Sequence, residues 1–314
     1  MQKKINILVS GMHWSGSSAI CDLLKEYKNV GWSSDEFDEF RRPGLVADHL
    51  EGRINTDYPS KIKRYYKYII PKQYLSLLKK DILKNKRINI LYYLYKLKKD
   101  FFRIKLLFNL NKVLLNTFEK KEKINLASTW IKDLQNLYAK NKDFIIFDQP
   151  IFFKEHLDVW PMVFNPYKLI IVYRDPRDQF TDLINRNHLF LDHISSLTGG
   201  ISEIYGGDKS GVYDYHVDAI MNRYKSIDKI IKELGTECVL QVRFEDLILN
   251  YENEVSRIEL FLGLKSENHI NKFSFFNPAN SLKNIGIYKN KLSEAELAKI
   301  DELINCYNKI NKEG

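Results

Sequence analysis

Short, largely apolar runs, separated by longer stretches of helical period, set the rhythm of this chain. Ile5–Val9, Phe144–Phe147, Leu169–Tyr173 and Cys238–Val242 each hold four or five residues between turn-forming neighbours, the length of a strand. None alternates strictly between apolar and polar. Strands covered on both faces need no alternation, so the pattern predicts an α/β fold, a central parallel sheet with helices on both faces.

From residue 61 to about 139 no strand pattern occurs, and a Lys/Leu/Tyr-rich composition poor in glycine predicts helices, interrupted near Pro71. Residues 45–140 are read as a mainly helical, basic insertion in a single domain spanning 1–314, and Asp35–Gly44 before it as a charged loop. Ser293 stands three residues before Glu296, the spacing of a capping box, so an amphipathic C-terminal helix is predicted to start there.

Composition narrows the class. With 314 residues, 44% hydrophobic and 28% charged, the chain buries a sizeable core. Cys21, Cys238 and Cys306 are far apart and odd in number, which gives neither a disulfide framework nor a CxxC site, and no metal is expected. Ile5–Val9 is too short for a signal sequence, and even Ile88–Leu97 is broken by Asn89 and Lys96, so a cytoplasmic protein is expected.

The net charge of +9 is unevenly placed. Lys61–Lys123 holds 19 Lys/Arg against 4 Asp/Glu, a net +15, which leaves −6 for the remainder. Solvated helix faces, a surface for an anionic acceptor or lipid headgroups, and nucleic-acid binding all fit such a segment; no DNA- or RNA-binding motif supports the last. A peripheral membrane contact through Lys61–Lys123 is the lipid form of the second reading.

The first predicted strand runs into Gly11-Met12-His13-Trp14-Ser15-Gly16-Ser17-Ser18, and a helical pattern follows from Ala19. A strand, tight loop and helix in that order aim backbone N–H groups and a helix N-terminus at one spot, a ready anion site. Gly11 and Gly16 allow close approach, while Ser17 and Ser18 add hydroxyls and are expected to cap the helix. The G-x-x-x-x-G spacing is that of a Walker A loop, but Ser17 occupies the lysine position, which argues against an ordinary ATPase or kinase.

This loop resembles that of the sulfotransferase family, whose bacterial members often carry Gly-Met-His-Arg-Ser-Gly-Thr-Ser here. Three further segments resemble the family in the same order. Arg174-Asp175-Pro176-Arg177-Asp178, after the strand Leu169–Tyr173, is similar to its element for the nucleotide 3′-phosphate. Arg243-Phe244-Glu245-Asp246-Leu247 is similar to its Arg-Tyr-Glu-Asp-Leu. Ser281-Leu282-Lys283-Asn284-Ile285-Gly286-Ile287-Tyr288-Lys289 is similar to its loop that closes over the nucleotide.

The resemblance covers Ile5–Leu24 and about Phe144–Glu294. It implies the P-loop NTPase-like sulfotransferase fold and transfer of a sulfuryl group from 3′-phosphoadenosine 5′-phosphosulfate (PAPS) to a hydroxyl acceptor, by family analogy a carbohydrate or glycolipid, without a metal. His13, Trp14 and Ser15 to Ser18 would hold the phosphosulfate, Arg174 the 3′-phosphate, Phe244 the adenine, and Lys283, Asn284, Gly286 and Lys289 the closing loop.

Two positions depart from the family. Trp14 stands in the slot of its Arg or Lys, and loss of one such donor costs roughly 10²–10³ in rate. Asp182 occupies the place of a Ser that donates to the 3′-phosphate; either Thr181 beside it takes over or that subsite is altered. For the general base Asp148, at the end of a predicted strand, competes with Glu36 and Glu39, and His13 lies in the loop itself. A catalytically impaired nucleotide-binding protein and a divergent nucleotide kinase are the alternatives.

Overall fold

The computed structural model describes residues 3–11, 14–41, 45–52, 90–151, 157–185 and 209–313. Five parallel strands form one sheet in the order β2-β3-β1-β4-β5. They are β1 (Ile5–Gly11), β2 (Val30–Glu36), β3 (Phe144–Asp148), β4 (Tyr167–Tyr173) and β5 (Val239–Arg243). All four apolar runs became strands, and the fold is α/β. The central strand pairs Leu8 with Phe147 on one side and with Leu169 on the other.

The strand missed by the apolar pattern is β2. Its sequence VGWSSDE is mostly polar, which an edge strand bonded only to β3 can tolerate. The expected loop Asp35–Gly44 is accordingly corrected at its start: Asp35 and Glu36 end β2, and α2 (Asp38–Arg41) follows. Residues 42–44 lie outside the described residues.

The remaining described helices are α1 (Ser17–Lys25), α3 (Val46–Leu50), α4 (Ile90–Leu114), α5 (Lys120–Tyr138), α6 (Trp160–Val163), α7 (Pro176–Asn185) and α8 (Lys209–Leu234). After β5 come α9 (Phe244–Leu249), α10 (Tyr251–Leu262), α11 (Pro278–Ser281), α12 (Glu294–Lys299) and α13 (Asp301–Glu313). Alternate residues of each strand feed two cores. Leu8, Phe147 and Ile171 pack with Leu107, Trp130, Ile227 and Leu303 on one face; Val9, Ile146 and Ile170 pack with Ile20, Leu247 and Ile258 on the other.

In the stretch 45–140 the described part is helical and shares the first of these cores, whereas residues 53–89, with Pro71, lie outside the described residues. The capping box of Ser293 and Glu296 forms as expected. The C-terminal helix it opens is two helices, α12 and α13, with Ile300 fully buried between them.

Chain order decides where a ligand can sit. After β1 the chain builds β2 and β3 on one side of it, then crosses to build β4 and β5 on the other. The reversal leaves a crevice outside the carboxyl ends of β1, β3 and β4.

Candidate functional site

Gly11 ends β1 at that crevice, and Gly16 opens α1 with φ at +95°, a left-handed conformation that glycine adopts without cost. A Cβ on Gly16 would sit 2.2 Å from the Phe244 ring, and one on Gly11 would sit 2.0 Å from Ser15 Oγ. Gly16 is therefore demanded by both angle and contact, and Gly11 favoured by the close approach of Ser15, Ser17 and the Val172 carbonyl. Met12 and His13 lie outside the described residues.

The expectation that Ser17 or Ser18 caps α1 is corrected. Gly16 is the N-cap, with no side-chain cap bond, and the serines are the first two helical residues. The left-handed glycine starts the helix one residue early, leaving its first-turn N–H groups without a side-chain acceptor, as an anion site requires. Ser18 is exposed, and the buried Ser15 Oγ has no hydrogen-bond partner among the described residues.

A residue the sequence reading passed over holds this loop. Gln149, at φ +54°, accepts from the Gly11 N–H at 3.2 Å and donates to Ser17 Oγ at 2.7 Å. The Ser17 oxygen accepts this bond, which leaves its own hydroxyl proton to be donated to another acceptor. The only sequence hint was its place directly after a strand end.

Arg174, delivered by β4, is 3% exposed. Its Nη1 donates to the Trp14 carbonyl at 3.0 Å and to the Asp182 carboxylate at 2.6 Å, and its Nη2 donates to the Asn284 carbonyl. The guanidinium lies 5.1 Å over the Phe244 ring, and its buried Nε has no partner among the described residues. Four segments picked from sequence thus converge on one side chain. Thr181 does not join them; its hydroxyl bonds back to the Arg177 carbonyl at 2.9 Å, within α7.

The loop around Gly286 is fastened from α7. Asp178 accepts from the Gly286 N–H at 2.7 Å and from the Tyr288 N–H at 3.2 Å, and Arg177 lies 4.2 Å over the Tyr288 ring. Gly286 has φ +71°, which the bend needs. Lys283 and Lys289 remain exposed. Behind Arg174, Glu245 accepts from the Asp175 N–H at 2.9 Å and from the Tyr307 hydroxyl at 3.2 Å, joining β4 to α13.

The candidate bases divide. Asp148 and Glu36 are paired across β3 and β2 at the carboxyl edge. Burial, and then the Glu36 charge, push the Asp148 carboxyl up to about 7, against the pull of Cys21, Arg41 and Lys25. One of its oxygens is enclosed without a hydrogen-bond partner among the described residues. Glu36 is half exposed and paired with Arg41. Glu39 turns away into the core, 1% exposed, against Arg103 of α4.

Two arginines reach the same edge. Arg223 of α8, buried, donates to Ser10 Oγ at 2.6 Å and lines a small cavity with Ser15, Gln179 and Tyr224. Burial and the like charge of Arg41 lower its pKa, though an arginine stays protonated. Helical periodicity gave no reason to single it out. Among the described residues no group of three His, Cys, Asp or Glu is placed to hold a metal.

Residues 5–299 match the family described as sulfotransferase domain. Among solved structures, the chain is similar to the sulfotransferase domain from the Synechococcus PCC 7002 olefin synthase, at 13% identity and TM-score 0.46, over 97% of this chain and 95% of that one. It is also similar to sulfotransferase STF9 from Mycobacterium avium, at 12% identity and TM-score 0.42, over 97% and 76%. The sulfotransferase domain from the curacin biosynthetic pathway matches at 13% and 0.44, over 97% and 99%. No curated protein matches the chain by sequence.

Proposed function

Because this chain belongs to the sulfotransferase domain family, we propose that it moves the sulfuryl group of PAPS to a hydroxyl acceptor, a carbohydrate or glycolipid, in the cytoplasm. The supporting observation is a single one. The glycine loop at β1, with its uncapped helix start and unpartnered Ser15 hydroxyl, lies within reach of Arg174, whose guanidinium donates to the loop's own Trp14 carbonyl at 3.0 Å. A loop of that kind suits the 5′-phosphosulfate, and a buried guanidinium with an unpartnered Nε suits a second phosphate.

PAPS supplies the activated sulfuryl group. In this reading Asp148 takes the proton of the acceptor hydroxyl as its oxygen bonds to sulfur, the bond from sulfur to the 5′-phosphate oxygen breaks, and adenosine 3′,5′-bisphosphate leaves. The first-turn N–H groups of α1 and the Ser17 hydroxyl stabilise charge on that leaving phosphate. Arg41 and Arg223 are the cations the fold brings to the edge where position 14 has none. A carboxyl held near 7 is matched to accepting a proton at neutral pH. A basic surface at a membrane would serve a lipid-linked acceptor.

One observation favours a second reading, nucleotide binding without turnover: Trp14 carries no cation, and Asp182 already occupies Arg174. Calorimetric titration with adenosine 3′,5′-bisphosphate, with magnesium ATP as comparison, tests the nucleotide; transfer of labelled sulfate from PAPS to a glycan or glycolipid pool tests turnover. Micromolar binding lost in Arg174→Ala supports the site. Preference for ATP would overturn the reading, and binding with no transfer would favour the second.

A further inference from the structure

Helix α4 buries Leu107, Leu110 and Leu114 in the first core, yet it carries apolar side chains on both sides. Its inward side holds the pair Lys96 and Asp100, at 3.7 Å, and Arg103 bound to the buried Glu39 of α2. Its outward side presents Leu94, Tyr95, Leu97, Phe101, Phe102 and Val113, each 42–65% exposed. Lys98, Lys105 and Lys112, also exposed, recur every seven residues and so run close to one line along that side. Asp100, the one acid of the helix, faces inward, so the outward side carries aromatic rings and cations with no carboxylate.

Water is a poor medium for such a face, because contiguous exposed apolar surface marks an interaction site. The partner must accept apolar rings and present negative charge along the lysine line. An acidic protein groove and a bilayer both offer that, but a bilayer matches the whole length. Phe and Leu enter the acyl boundary at any register, and lysines beside them extend their heads to anionic headgroups. No described helix is long and apolar enough to cross a membrane, which leaves an orientation in the plane of the surface.

We propose that the outward side of α4 docks on an anionic lipid bilayer, with Phe101 and Phe102 inserted and Lys98, Lys105 and Lys112 at the headgroups. The Arg103–Glu39 pair ties α4 to the helix directly after β2, so docking orients the Asp148 edge of the sheet relative to the lipid. Its purpose, presenting a lipid-linked hydroxyl to that edge, rests on the sulfotransferase reading. The docking itself needs no nucleotide.

Sedimentation of the full chain with vesicles tests it, using phosphatidylcholine alone and phosphatidylcholine mixed with phosphatidylglycerol. Binding to the mixed vesicles, weakened by salt and absent without phosphatidylglycerol, is expected. Phe101→Ser with Phe102→Ser should weaken it by about tenfold or more. Lys98→Gln, Lys105→Gln and Lys112→Gln should cost about fivefold each. All five side chains are exposed, so an unchanged melting temperature and unchanged bisphosphate affinity confirm that each variant is folded.

No affinity for the anionic vesicles would overturn the proposal, as would binding that these substitutions leave intact. Dimerisation abolished by the Phe101 and Phe102 changes, without lipid affinity, would assign the face to a second copy instead. Vesicle binding in a protein that ignores the bisphosphate would sink the sulfotransferase reading alone.

Discussion

Arg174 meets the Asp182 carboxylate at 2.6 Å, and the same guanidinium holds the carbonyls of Trp14 in the glycine loop and Asn284 in the loop around Gly286. One cation therefore fastens the two segments that flank the crevice, and it arrives with an anion already bound. A phosphate reaching Arg174 must share it with Asp182 or displace it.

Asp182→Ser should consequently strengthen binding of adenosine 3′,5′-bisphosphate by about tenfold or more, since like charges a few ångströms apart at a protein surface repel by about 4 kcal/mol before relaxation. The gain should vanish for adenosine 5′-monophosphate, which lacks the 3′-phosphate. Equal gains for both ligands would place Asp182 away from that group. Titration calorimetry reads both.

Asp148 gives a pH signature. Its carboxyl is lifted from 3.8 to about 7 by burial and the Glu36 charge, so the basic form grows as pH rises through neutrality. Turnover should fall on the acid side of about pH 7, and Asp148→Asn should lower it roughly 10²–10⁴-fold. Glu36→Gln removes the neighbouring charge and should move the midpoint downward.

Stability should move with the same proton. The folded state holds it more tightly than the unfolded chain, so this contribution is full below about pH 3.8 and is lost as pH rises through about 7. Relative to the parent, Asp148→Asn should therefore be more stabilising at pH 8 than at pH 5, by on the order of 1–3 kcal/mol. Urea denaturation at the two pH values checks the sign.

Gln149 separates side-chain reach from backbone strain. Asn tolerates the left-handed φ of +54° but is one methylene too short to bridge Gly11 and Ser17. Gln149→Asn should melt within a few degrees of the parent yet bind the bisphosphate about tenfold more weakly, the worth of a lost hydrogen bond or two. Unchanged affinity would reduce Gln149 to a turn residue.

Gly16→Ala combines a disfavoured φ with a Cβ placed 2.2 Å from the Phe244 ring, and should cost on the order of 2 kcal/mol or more in stability. Adding Phe244→Leu should recover the steric part and leave the backbone part. Thermal melts of the single and double variants show whether the two costs divide this way.

The amino-acid sequence by itself determined the sheet's buried strands, because a strand covered on both faces is mostly apolar, and Ile5–Val9 and Leu169–Tyr173 are short runs of that kind between turn-forming neighbours. It also determined the glycine loop, since the spacing of Gly11 and Gly16 after a strand is a local property. β2 stayed hidden: VGWSSDE sits at an edge and satisfies one neighbour only. Tertiary structure alone decided what is non-local. Gln149 reaches Ser17 across 132 positions, Arg223 reaches Ser10 across 213, and Glu39 is withdrawn from the site by Arg103 of a helix 64 positions away. Such partnerships follow from which strand ends the fold sets side by side, and no periodicity within a single segment carries that information.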